Sequence, residues 1–118
     1  MILADTSVWV QHFRRGIPAF ATALEAGSIL MHPVVIGELA TGNLAHRQQT
    51  LADLRRLPGT KVGTTEECLV FIETHQLHGR GIGWNDVQLL VAAKLSHDPL
   101  WTLDVRLAAA AAELGAAS

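Results

Sequence analysis

No stretch constrains this chain more than its first nine residues, MILADTSVW. An unbroken apolar run leads into Asp5, Thr6 and Ser7, and the chain turns apolar again at Val8 and Trp9. A short apolar run bounded by polar turn residues reads as a strand, and one without alternation needs cover on both faces. It is the expected central strand of a mostly parallel sheet packed between helices. Ligands of such sheets bind beyond the carboxyl ends of the strands, which places Asp5 at the mouth of a site.

The rest of the chain supplies the cover. Val8 to Arg14 reads as a short helix capped by Thr6 or Ser7, and Pro18 opens a second helix that Gly27 stops. Ser28 to Met31 is a strand candidate, and Pro33 begins a helix that carries Glu38 and runs to Gly42. His46 to Leu57 continues helically until Pro58 and Gly59, with Lys61 to Gly63 a brief edge strand at best. Thr64 and Glu67 form a capping-box pattern for a helix running toward Gly79. Gly79, Gly81 and Gly83 make the next segment a loop, and Val87 to Leu95, apolar nearly all round, is a helix buried against several neighbours with Asp86 at its amino end. Leu100 to Leu103 is the last strand candidate, Asp104 follows it, and an alanine-rich helix closes at Gly115 before a fraying tail. Strands alternating with helices define a three-layer α/β/α sandwich with a short, mostly parallel sheet.

At 118 residues the chain is one domain, residues 1–118, with an apolar content of 49% that is high for its size. No run approaches the roughly 20 apolar residues of a membrane span, so no leader or anchor is expected. The single cysteine, Cys68, has no intramolecular mate, which fits a reducing cytoplasm and a small core residue. A formal charge of −2 gives no global basic footprint, so any nucleic-acid site has to be local or metal-assisted.

Of the eleven acidic residues, four occupy unusual places. Asp5 and Asp104 follow apolar strands, Asp86 starts a buried helix, and Glu38 lies between apolar neighbours. If they meet at the carboxyl edge of the sheet, each pair about 5 Å apart repels by roughly 3 kcal/mol at an effective dielectric near 20. Several such pairs rival a total stability of about 5–15 kcal/mol. A hard divalent cation offsets this, and carboxylates plus waters suit Mg²⁺ or Mn²⁺, with Thr6 and Ser7 as hydroxyl helpers. Such a site chiefly serves phosphate chemistry. The plainer reading makes two of the four acids simple caps or turn residues, Asp104 first among them.

The pattern also resembles the PIN-domain ribonucleases and, within them, the VapC toxins of bacterial toxin–antitoxin pairs. The matching segments are LADTSVW (Leu3 to Trp9), VVIGEL (Val34 to Leu39), WNDVQLLVAAKL (Trp84 to Leu95) and LWTLDVRL (Leu100 to Leu107), in family order along almost the whole chain. The resemblance places the acidic quartet on Asp5, Glu38, Asp86 and Asp104, a hydroxyl position on Ser7 and another on Thr102. It implies a Mg²⁺- or Mn²⁺-dependent endoribonuclease that leaves a 3′-hydroxyl and a 5′-phosphate, a homodimer, and a cognate antitoxin that enters the groove. Arg14, Arg15, Arg80 and Arg106, nearest the motifs, are the candidate RNA contacts, against the plain alternative of solvated surface arginines. His75 and His78 stand at ligand spacing but read as surface residues of one helix, as does His12 after the first motif. Trp9, Trp84 and Trp101 are expected in the core rather than stacking on bases. The competing function is a non-catalytic α/β partner-binding domain whose acidic pocket holds a structural cation or a basic peptide.

Overall fold

In the computed structural model, which describes residues 1–118, the opening apolar run forms β1 (Ile2–Ala4), followed by α1 (Thr6–Arg15) and α2 (Pro18–Glu25). The chain continues through β2 (Ile29–Leu30), α3 (Pro33–Ala40), α4 (Arg47–Arg55), α5 (Thr65–His75), α6 (Trp84–Ser96), β3 (Leu100–Trp101) and α7 (Val105–Glu113). β1 is the middle strand of an all-parallel sheet of order β2-β1-β3. Leu3 pairs with Leu30 on one side and with Leu100 on the other, and Ala4 pairs with Trp101. This register brings Asp5, His32 and Thr102 level at the carboxyl edge.

Successive strand residues point to opposite faces, and both Leu3 and Ala4 are fully buried. Helices therefore cover the sheet on both sides, which is the α/β sandwich expected. The main core gathers strand residues with Val8, Trp9, Phe20, Val35, Leu89, Leu90 and Leu107. Phe20 is its aromatic hub, meeting Trp9 edge-on at 4.8 Å and Trp101 at 5.5 Å, a favoured geometry for aromatic pairs. Between α5 and α6 a smaller cluster joins Cys68, Val87 and Val91. Burial there, with the Glu67 charge second, pushes the Cys68 thiol pKa up, so Cys68 is a core residue with little thiolate character. No helix is long and apolar enough to cross a membrane.

Local expectations fail at several places. The cap of α1 is Asp5, whose Oδ1 accepts from the Val8 N–H, and neither Thr6 nor Ser7. Lys61 to Gly63 forms no strand; Met31 instead makes a bridge with Gly59, its N–H bonding Pro58 O at 2.8 Å. The chain then leaves the sheet because Lys61 N–H bonds Ser96 Oγ and Gly63 lies against α6, where an added Cβ would stand 2.5 Å from Val91 Cγ1. α5 stops at His75, since Gln76 takes a left-handed conformation, so His78 lies beyond the helix and shares no face with His75. The tail does not fray: Ala117 bridges Leu100, and Ala116 is buried. Trp84 is 42% exposed, contrary to its expected place in the core, because it is the first residue of α6 and faces away from the packed turns.

Candidate active site

Asp5 is one of two buried polar residues, the other being His32. Its Oδ1 accepts from Val8 N–H at 3.2 Å and from Ser7 Oγ at 2.5 Å, and its Oδ2 accepts from Thr102 Oγ1. Each hydroxyl also receives a bond from the segment after β3: Leu103 N–H donates to Ser7 Oγ at 3.0 Å, and Asp104 N–H donates to Thr102 Oγ1 at 3.0 Å. The two hydroxyls thus weld the end of β1 to the approach of α7. Thr6, the third hydroxyl, turns the other way and donates to Glu38 Oε1 at 2.7 Å.

The remaining acids are placed by helix starts. Asp86, third residue of α6, accepts the Gly83 N–H at 2.9 Å, closing the first turn. Asp104 caps α7, its Oδ1 taking the N–H groups of Arg106 and Leu107, each at 2.9 Å. Glu38 rides on α3, whose cap is a residue that sequence reasoning missed. His32 Nδ1 accepts the Val34 N–H at 3.0 Å, and Nε2, which then carries the proton, is buried without a partner. A histidine is an uncommon cap, and the only signal was its place immediately before Pro33.

The four acids share one electrostatic neighbourhood. The Asp86 carboxyl is held above the ordinary aspartate value of 3.8, first by burial and then by the charges of Asp104, Asp5 and Glu38, while its bond from Gly83 N–H pulls the other way. No base neutralises them. The ion pairs of the molecule are the amino terminus with Asp98 and Arg80 with Glu113. Positive helix amino ends at α1, α6 and α7 supply only partial compensation.

The donor set suits a hard cation. Asp86, Asp104 and Glu38 each commit one oxygen to an N–H or hydroxyl and leave the other without a protein partner. With the side chains as placed, no three of the carboxylates close around one point. Mg²⁺ does not require that, since one or two carboxylates with waters and a substrate phosphate complete its octahedron.

The candidate arginines divide. Arg14 and Arg15 are exposed at the end of α1, and Arg14 lines a hollow with Phe13, Glu38, Leu39 and Asn43. Arg80 is committed to Glu113 at 2.6 Å. Arg106 is exposed and lies over Gly81. His12 is no free surface group, because its Nδ1 accepts the Ile17 N–H at 3.0 Å and its ring packs on Phe20. An apolar hollow lined by Val70, Phe71, Val91 and Leu95 between α5 and α6 contains none of the four acids.

A parallel sheet whose carboxyl edge carries clustered acids defines the class of the fold, and residues 2–113 match the PIN domain family; the chain belongs to it. Two curated proteins named ribonuclease VapC32, from the CDC 1551 / Oshkosh and ATCC 25618 / H37Rv strains of Mycobacterium tuberculosis, are each 41% identical to it over 118 residues. Those alignments cover 99% of this chain and 95% of each relative, so within the family the chain is of the VapC type.

Proposed function

We propose that this chain is an endoribonuclease and the toxin of a toxin–antitoxin pair, hydrolysing RNA phosphodiester bonds with Mg²⁺, or Mn²⁺ in its place, held by Asp5 and Asp86 with Glu38 and Asp104. The ribonuclease name of the relatives supports the substrate class. The observation that carries the chemistry is the Asp86 carboxyl, pushed up first by burial and then by three further acids that no base neutralises.

When bound, the metal would polarise the phosphoryl oxygen and lower the pKa of its water. The protein residues do the rest. Ser7 and Thr102 lock both oxygens of Asp5, so that carboxylate needs no reorganisation as charge develops. Glu38 or Asp86, each with one unpartnered oxygen, takes the proton of the attacking water as it approaches phosphorus in line. The products are a 3′-hydroxyl and a 5′-phosphate, and no side chain becomes covalently attached. Exposed apolar side chains such as Phe13, Leu69, Val70 and Val105 are in keeping with a homodimer and an antitoxin-covered groove.

Purified protein freed of antitoxin should cut single-stranded or structured RNA only with Mg²⁺ or Mn²⁺, and Asp5→Asn should abolish cleavage by 10²-fold or more, on the order of an electrostatic catalytic group. Failure to cut a broad RNA panel with either metal would favour the partner-binding alternative.

A further inference from the structure

We propose that Arg106, seated against Gly81, grips an RNA phosphate beside the acidic cluster, and that the open face of Gly81 lets the guanidinium rest there. This rests on the ribonuclease reading above and deepens it, by assigning one cation of the site and the residue that places it.

A Cβ built on Gly81 would come within 2.6 Å of Arg106 Nη1 and 2.8 Å of its Cδ. The arginine therefore rests on the open backbone face of Gly81, and a side chain there would displace its flexible end from this position. The site brackets this contact from both directions. Gly81 precedes by two residues Gly83, whose N–H holds Asp86, and Arg106 follows Asp104 by two, its own N–H on Asp104 Oδ1 at 2.9 Å. Yet the guanidinium forms no ion pair, whereas Arg80 in the same loop is spent on Glu113. An arginine at the rim of a four-acid cluster that is parked on glycine rather than on a carboxylate keeps its charge for an incoming anion. Four carboxylates sharing one neighbourhood repel a phosphodiester, and a planar guanidinium both offsets that charge and matches phosphate in bidentate fashion.

Gly79 supplies the control. It also has a positive φ, +69° against +77° at Gly81, but nothing lies within 4 Å of a Cβ built there. Alanine at either position strains the backbone alike, and only alanine at 81 evicts Arg106.

The experiment measures binding of a mixed single-stranded RNA pool to Asp5→Asn protein in Mg²⁺ across a salt series, with a melting curve for each variant to show that it is folded. Adding Arg106→Gln should weaken binding about tenfold, the loss of one charge-assisted contact. It should also flatten the slope of log affinity against log salt by about 0.7, one phosphate of a single strand. Gly81→Ala should shift both in the same direction, Gly79→Ala neither, and the combination of Arg106→Gln with Gly81→Ala no further than Arg106→Gln alone. RNA binding with affinity and slope untouched by Arg106→Gln overturns the assignment of Arg106 while leaving the ribonuclease reading standing. Equal losses from Gly79→Ala and Gly81→Ala overturn the role of Gly81. Absence of RNA binding by the Asp5→Asn protein at every salt concentration overturns the ribonuclease reading and this inference together.

Discussion

Asp86 carries a charge that the folded chain disfavours. Because its carboxyl pKa is raised above 3.8 on folding, the folded state holds the proton more tightly than the unfolded chain does. Ionisation of Asp86 therefore subtracts stability at every pH above the folded value, and the loss is recovered as pH falls through that value toward 3.8. Asp86→Asn keeps an acceptor for Gly83 N–H and removes the charge, so at pH 7 without metal it should melt on the order of 2–5 °C higher than wild type. The gap should narrow on acidification, and millimolar Mg²⁺ should stabilise wild type more than the variant. Identical metal-induced shifts in calorimetry would contradict the clustered-carboxylate site. His32 has the opposite sense. Burial lowers its pKa below 6.5, and the Val34 N–H on Nδ1 leaves no place for a second proton. The unfolded chain takes up a proton near 6.5 that the folded chain refuses, so this contribution is complete above 6.5 and lost as pH falls through 6.5 toward the lowered value. Urea midpoints measured from pH 7.5 to 5 should fall less for His32→Asn than for wild type, although the variant starts lower because it underfills a buried position.

At the scale of the element, three of the four acids also hold helix starts together: Asp5 at α1, Asp86 at α6 and Asp104 at α7. Asp104→Asn should therefore preserve the melting temperature while removing activity, whereas Asp104→Ala should also lose about 1 kcal/mol of stability with the cap of α7. Chemical denaturation of the two variants side by side separates the roles. The same elements show what could be read beforehand. The capping box of α5, Thr64 with Glu67, was legible because all its partners lie within four residues. The apolar run of β1 announced a central strand because burial on both faces leaves no room for alternation. Sequence pattern puts the cap of α1 on Thr6 or Ser7, but Thr6 spends its hydroxyl on Glu38 across the fold and Ser7 spends its own on Asp5, the actual cap. Apolar character predicts a core position for Trp84 and fails there because it signals burial only on average. The cap formed by His32 is not legible in the sequence, because nothing local distinguishes a capping imidazole from a surface one. All four acids were named from their neighbours in the chain, but the hydroxyl weld between Asp5 and the start of α7, which spans residues 5 to 104, belongs to tertiary structure.

Across the whole molecule the sheet is short, and both its edges are closed by single bridges, Gly59 beside Met31 and Ala117 beside Leu100. The second closure matters for the site, since β3 leads directly into Thr102 and Asp104. Leu100 N–H bonds Ala116 O at 2.7 Å, and Ala116 is only 4% exposed. Deleting Ala116 to Ser118 should cost about 1–3 kcal/mol, the penalty of a stranded buried N–H, and should lower activity through the slackened start of α7. Static light scattering should also detect more self-association, because an unpaired strand edge is a template for another. There is a practical side to this pairing for anyone expressing the protein. A fusion partner joined after Ser118 departs from the flank of the sheet rather than from a loose end, so a flexible spacer keeps a purification handle clear of the edge that leads into Asp104.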